Sequence, residues 1–350
     1  MPGKMNALVL RGPGDFEFEE AAAPECPPAG LLVKVLACGL CGSDLRTLYS
    51  GRKGMSYPWI IGHEVSAEIV QTGAAYRGPY KPGGVLAVAP VVYCGACDFC
   101  MEGRFEFCDN IRELAQHWQG GFAEYMPIPP EALAHGVIRP LPAGLDPVYA
   151  AAAEPLSSCL HAQERGRTGR GDTVVVIGCG PIGCAHTTIA KARGAARIIA
   201  ADVSSERLEM CRGFGADALV NSASEDLTGA VLRRTDGKGA DVIITANPVP
   251  ETQVQAVEMA RKSGRILLFG GLPPHDSKPG IDTNIVHYRG LELIGTTTFA
   301  PRHHKTALDM ITNGSFPVGK FVTHVLPLEK AKDGIGLAKE GKALKVVFKP

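Results

Sequence analysis

The sequence predicts two domains: a turn-rich β domain and a doubly wound α/β domain. Three observations carry that expectation. Cys94, Cys97, Cys100 and Cys108 crowd one short stretch. From Thr173 onward, strand-like and helix-like runs alternate. Between the first of those strands and the next helix stands Gly178-Cys-Gly180-Pro181-Ile182-Gly183.

Composition sets the outer bounds. A chain of 350 residues is long enough for two cores. Lys+Arg and Asp+Glu both count 36, giving zero net charge. That balance argues against nucleic-acid or anionic-membrane partners and leaves a small-molecule substrate. No apolar run reaches transmembrane length. Met1-Pro-Gly-Lys-Met5 lacks the apolar stretch of a secretory signal. The 11 cysteines suit a reducing compartment, so a cytoplasmic protein is expected. The 42 glycines and 26 prolines fit a turn-rich β domain joined to an α/β domain.

The elements follow in order. Residues 31–37 and 62–70 read as strands, with Gly and Pro between them. After about Asp146 the texture changes, and residues 147–153 and 156–165 read as helical. Thr173-Val-Val-Val-Ile177 is a continuous β-branched run, the pattern of a strand buried on both faces of a parallel sheet. A helix over 181–193, a strand over 197–201 and a helix over 205–213 come next. Strands over 218–220 and 241–245, a helix over 251–263 and a strand over 265–269 complete a βαβ series. From about Thr297 the texture is mixed again, and this part is expected to pack on the first domain. The expected boundaries are 1–155, 156–295 and a return segment 296–350.

The cysteine loop has C-x2-C-x2-C-x7-C spacing. Thiols placed so can surround one Zn2+ tetrahedrally, leaving no position for a substrate, so the site reads as structural. Two disulfides or an iron–sulfur cluster are the alternatives. The absence of a secretory signal and the length of the chain argue against disulfides.

The G-x-G-x-x-G run is weak alone, but here it follows a strand and opens a helix. Its glycines permit a tight turn, close approach to a pyrophosphate and close helix packing, and the helix N-terminus favours phosphate. Asp202 ends the next strand, 24 residues past Gly178, near the roughly 20 expected of a ribose-binding carboxylate. Its charge disfavours a 2′-phosphate, which points to NAD rather than NADP. Arg207 can reach the adenosine side or simply face solvent.

Cys41-Gly-Ser43-Asp44, Gly62-His63-Glu64 and Glu154-Pro155 add cysteine, histidine and carboxylate far apart in sequence. Such a set can hold a catalytic zinc with one open position, although a lone His or Cys is more often structural. In this order, with the four-cysteine loop and G-x-G-x-x-G, these motifs resemble the zinc-containing medium-chain dehydrogenase/reductase family. The likeness is strongest to its sorbitol (polyol) and threonine dehydrogenases, and it covers essentially the whole chain.

The resemblance implies a GroES-like catalytic domain, a Rossmann NAD-binding domain, a cleft between them and a homotetramer or homodimer. It also implies two zinc ions per chain. Cys41 and His63 match catalytic zinc ligands. Glu64 matches a carboxylate that binds the metal in some members and stands behind it in others. Glu154 stands where simple alcohol dehydrogenases place cysteine and polyol dehydrogenases glutamate. Ser43 matches the hydroxyl that takes the substrate proton, and Asp44 the residue that orients the histidine. Cys38 has no ligand counterpart and reads as packing.

Three departures stand out. Arg46 replaces a common histidine and, always protonated, cannot end a proton relay. Gly83-Gly84-Val85 replaces a common turn. Thr296-Thr-Thr298-Phe299 replaces the Arg-Tyr of polyol relatives. His117 and Trp118 either line the cleft or pack at the surface. The expected activity is hydride transfer between a polyol, sugar or sugar-acid secondary alcohol and NAD. The alternatives are a threonine-type amino-alcohol dehydrogenase and a non-catalytic NAD-binding protein.

Overall fold

The computed structural model describes residues 3–350, so the first residues of the N-terminal segment Met1–Met5 lie outside it. Two compact units form. The first comprises the chain up to Ser157, Phe299–Gly314 and Val318–Pro350; the second is Ser158–Thr298 with Ser315–Pro317.

The first unit is built on an eight-stranded sheet. Its path runs Val322–Pro327, Lys345–Lys349, Leu31–Gly39, Glu64–Thr72, Val85–Val92 and Arg112–Glu113. Tyr125–Ile128 adds to Leu31–Gly39, and Gly136–Pro140 to Val85–Val92. The hairpin Lys4–Gly12/Asp15–Ala22 touches this body through bridges from Ala7 to Ala123 and from Leu10 to Trp59. Leu31, Val33, Val65, Ile69, Phe122 and Phe348 fill the core. One register matters for the chemistry. Gly39 pairs with Glu64 on one side and with Val347 on the other, which brings the end of Leu31–Gly39 and the start of Glu64–Thr72 beside the middle of Lys345–Lys349.

The second unit is a six-stranded parallel sheet in the order Ala218–Asn221, Arg197–Asp202, Thr173–Ile177, Ala240–Thr245, Ala260–Leu268, Glu292–Gly295. The chain starts at the centre, builds to one edge, then returns to build the other. That is the doubly wound dinucleotide-binding topology. The apolar run 173–177 explains itself: Val175 and Ile177 enter one core, Val174 and Val176 the other. A strand covered on both faces needs no polar alternation.

The helix expected over 251–263 is corrected. It spans Pro250–Met259, and residues 260–263 begin the strand Ala260–Leu268. Ala260 pairs with Ala240, while Arg265 pairs with Val242, so the strand bulges between them. Ser263 sits at φ +60 within that bulge, a backbone no helix accommodates. The sequence also gave no notice of the helix Leu227–Arg234 or of the edge strand Glu292–Gly295. Among the described residues no helix is long and apolar enough to cross a membrane.

Candidate active site and metal centres

One candidate metal site is assembled in the first unit from the ends of neighbouring strands. Leu31–Gly39 ends just before Cys41, which caps the helix Gly42–Ser50. His63 and Glu64 stand where Glu64–Thr72 begins. The turn into that strand needs glycine: Gly62 has φ +97, and a Cβ there would lie 2.6 Å from the Phe122 ring. Ligand atoms of Cys41, His63 and Glu64 lie within 4.8 Å of one another.

Asp44 organises the cluster. Its Oδ2 accepts the Cys41 backbone N–H at 2.9 Å, and its Oδ1 lies 3.0 Å from His63 Nδ1. Asp44 is 3% exposed, so it is fixed there. A carboxylate can only accept, so Nδ1 keeps its proton in the neutral and the charged ring alike, and Nε2 is the nitrogen on which a metal would replace the second proton. Burial works against a charged imidazole, but the Asp44 carboxylate and the Cys41 thiol outweigh it and hold the His63 pKa well above its usual value. Ser43 is half-buried at the start of the same helix. Arg46, one turn on, is exposed.

Glu154 is the second residue of the helix Ala153–Arg165 and is partly buried. Burial pushes its carboxyl up to about 7; His63 and Lys345 oppose that rise, and Glu64 and Glu113 add to it. Glu154 therefore stands within electrostatic reach of the cluster, although it is not among the mutually close ligand atoms.

Lys345 was not singled out in the sequence. Its Nζ donates to both Glu64 oxygens at 2.7 Å and to Leu40 O at 3.0 Å. Glu64 is 0% and Lys345 3% exposed. The available signal was a single lysine opening the otherwise apolar Lys345-Val-Val-Phe348.

The four-cysteine loop gathers as its spacing predicts. The sulfurs of Cys94, Cys97, Cys100 and Cys108 lie within 4.8 Å of one another. All are free thiols, as are the other cysteines, so the disulfide alternative does not describe this fold. Backbone N–H groups turn toward the sulfurs: Cys94 N–H points at Cys108 Sγ (3.2 Å) and Cys97 N–H at Cys94 Sγ (3.3 Å). The amides of Ala96 and Cys97 pull the Cys94 thiol down to about 6, while burial pushes Cys100 up to about 12. Gly95, at φ +70, lets the loop turn against the His135 ring. A set of four thiols so arranged fits a zinc ion without an open position.

In the second unit, Gly178 leaves the strand Thr173–Ile177 at φ +102, and Pro181 and Ile182 open the helix Pro181–Ala192. A Cβ on Gly183 would lie 1.7 Å from Gly178 O, so only glycine closes that turn. A Cβ on Gly180 would meet nothing within 4 Å, which leaves open space beside the helix N-terminus for a phosphate. Asp202 is 8% exposed. Its Oδ2 accepts Cys179 N–H (2.7 Å) and its Oδ1 Ser204 N–H (2.9 Å), so the carboxylate is aimed and rigid. Arg207 is half-buried, and its charge is felt by Cys179.

The remaining candidates are placed as follows. Cys38 is fully buried against Gly62 and Gly121, a packing position. His117 is exposed and its Nδ1 accepts Glu113 N–H; Trp118 lies under the Arg112 guanidinium. Thr298 adopts φ +47, and its carbonyl lies 3.0 Å from His161 Nδ1.

Comparison with known proteins fits this geometry. The alcohol dehydrogenase GroES-like domain model matches residues 27–139, and the zinc-binding dehydrogenase model residues 181–313. The erythritol/L-threitol dehydrogenase of Mycolicibacterium smegmatis is 34% identical over 98% of this chain and 96% of its own. The chain belongs to the zinc-binding dehydrogenase family. Another member, the L-threonine 3-dehydrogenase of Pyrococcus horikoshii, is 30% identical over 99% of both chains. A putative zinc-binding dehydrogenase of Sinorhizobium meliloti, solved bound to NADP, is 30% identical with a TM-score of 0.91 over 100% of both chains. This zinc-binding dehydrogenase therefore has the GroES-like and Rossmann-type fold, and it is an enzyme that oxidises or forms alcohols.

Proposed function

We propose that this dehydrogenase interconverts a polar secondary alcohol, of polyol, sugar or sugar-acid type, and its ketone, with NAD as the hydride acceptor. The observation that carries the reading is the cluster of Cys41, His63 and Glu64 with Glu154 nearby. Cys41 and His63 would hold the catalytic zinc together with a carboxylate. When bound, that zinc supplies Lewis acidity toward the substrate hydroxyl, and the nicotinamide accepts the hydride.

The chain's own residues do the rest. Asp44 fixes the His63 ring, so that the open site keeps one geometry. Ser43 accepts the substrate's hydroxyl proton and passes it outward. Gly178, Gly180 and Gly183 with the free N–H groups in the first turn of the helix Pro181–Ala192 receive the pyrophosphate, with Pro181 and Ile182 setting that turn. Asp202 accepts hydrogen bonds from the adenosine ribose and repels a 2′-phosphate, and Arg207 lies toward the adenosine. Cys94, Cys97, Cys100 and Cys108 hold a second, structural zinc.

The substrate class rests on Glu154 and on the relative named for erythritol and L-threitol. A carboxylate beside the metal makes a more polar site than a second thiolate would. The threonine-type alternative is supported by the Pyrococcus horikoshii relative. A cytoplasmic homotetramer or homodimer completes the proposal. The test is NADH absorbance across a panel of tetritols, longer polyols, sugar acids, threonine and simple primary alcohols, together with zinc content per chain.

A further inference from the structure

Three cysteines outside both metal clusters meet in the second unit. Cys179 lies inside the glycine-rich turn, Cys184 on the helix Pro181–Ala192 and Cys211 on the helix Ser205–Arg212, and each is 0% exposed. Cys179 Sγ lies 3.6 Å from Ala201 O, Cys184 Sγ 3.6 Å from Cys179 O, and Cys211 Sγ 3.5 Å from Thr187 Oγ1. The thiols of Cys179 and Cys184 both face the Cys211 sulfur. Their S–H groups favour its thiolate and, against burial, hold the Cys211 pKa below its usual value. The trio is not among the clusters tight enough to share a metal ion. A buried cysteine ordinarily serves as a small apolar filler. Packing does not call for two thiols converging on a third sulfur, nor for one of them in the turn that receives the pyrophosphate.

We propose that Cys211 and Cys179 form a disulfide modification site, closed by a hydroperoxide, and that the bridge weakens dinucleotide binding. The Cys211 thiolate attacks a peroxide oxygen: the O–O bond breaks, a sulfenic acid forms, and the hydroxide released takes up a proton to become water. The Cys179 sulfur then attacks the Cys211 sulfur. The S–S bond forms, the S–O bond breaks, and the Cys179 proton leaves in a second water. The two sulfurs lose two electrons, which the peroxide gains. Bonded sulfurs stand about 2 Å apart, far inside the contact distance of two thiols, so closure draws Cys179 toward the helix Ser205–Arg212. Its backbone N–H, 2.7 Å from Asp202 Oδ2, moves with it. Asp202 then loses one of its two N–H partners, and the turn beside Gly180 shifts. Buried thiols react slowly, and bound dinucleotide should slow them further, since a ligand that favours the reduced turn disfavours the bridge. This rests on the reading of the turn 178–183 as the pyrophosphate site.

The test treats full-length, zinc-loaded enzyme with hydrogen peroxide, blocks the remaining thiols and maps the bridge by peptide mass spectrometry. NADH affinity is titrated before treatment, after it, and after reduction with dithiothreitol. A Cys179–Cys211 bridge should form, more slowly with NADH present, and should raise the NADH Kd about tenfold or more, reversibly and with zinc content unchanged. Constant zinc separates this bridge from oxidation of the metal-site thiols. Cys211→Ser should bind NADH normally when reduced and keep its affinity through the treatment, whereas Cys184→Ala should still form the bridge. No bridge, a bridge from Cys211 to Cys184, or a Cys179–Cys211 bridge with unchanged NADH affinity overturns the proposal. An equal loss of affinity in treated Cys211→Ser also overturns it; should that variant not fold, the wild-type map and titration decide alone. Reduced wild-type enzyme that binds no nicotinamide dinucleotide would defeat the cofactor site itself, and the proposal with it.

Discussion

Asp44 Oδ1 lies 3.0 Å from His63 Nδ1, while its other oxygen accepts the Cys41 backbone N–H. One buried carboxylate therefore sets both the helix cap that carries the thiol and the tautomer of the imidazole. Asp44→Asn keeps the shape but can present an N–H to the ring, which removes the constraint on the tautomer. We expect kcat/KM to fall about 10- to 100-fold, with weaker zinc retention and unchanged NAD affinity. Steady-state kinetics, zinc analysis and NADH titration check this. Unchanged catalysis would remove Asp44 from the account.

The four-thiol loop predicts a stability effect without a direct catalytic one. Cys108→Ser should lose one zinc per chain and lower the thermal midpoint, because structural zinc contributes folding free energy. Metal analysis and thermal melts decide it. Full zinc and an unchanged midpoint would contradict the structural assignment.

Much of this architecture was legible in the sequence, for identifiable reasons. The run 173–177 is apolar throughout because the sheet is covered on both faces, and it announces itself. The cysteine loop is local, so spacing alone brings its sulfurs together. Lys345 was not legible: its partner lies 281 residues away, and a lysine at a strand start usually faces water. The end of the helix at Met259 was hidden because Ala260-Arg-Lys-Ser263 continues a helical composition. Strand pairing with Ala240 and the left-handed turn at Ser263 override it.

Cofactor choice rests on Asp202, held by the N–H groups of Cys179 and Ser204. Wild-type enzyme should show the higher kcat/KM with NAD, and Asp202→Ala should narrow its lead over NADP. A wild-type preference for NADP would refute this.

Acid sensitivity should arise in the second unit at His186. Burial pushes this imidazole down to about 3. Its folded pKa lies below the unfolded value of about 6.5, so the unfolded chain binds the extra proton. The associated stability is complete above about pH 6.5 and is lost as pH falls toward 3. At pH 5 the loss is about 2 kcal/mol. His186→Gln should lose less stability than wild type between pH 7 and pH 5 in denaturant titrations. Equal losses would show that another group carries the acid sensitivity.

The central claim is zinc-assisted hydride transfer from a polar secondary alcohol to NAD at the Cys41–His63 site. The most direct measurement is NADH formation, as kcat/KM, for erythritol, threitol, xylitol, sorbitol, sugar acids, threonine, ethanol and benzyl alcohol, in wild type and His63→Ala. A polyol, sugar or sugar acid should lead the ranking, because a site with buried polar groups rejects substrates that leave them unpaired. His63→Ala should abolish turnover while NADH still binds. A primary aliphatic or aromatic alcohol at the top, or undiminished turnover in His63→Ala, would contradict the account.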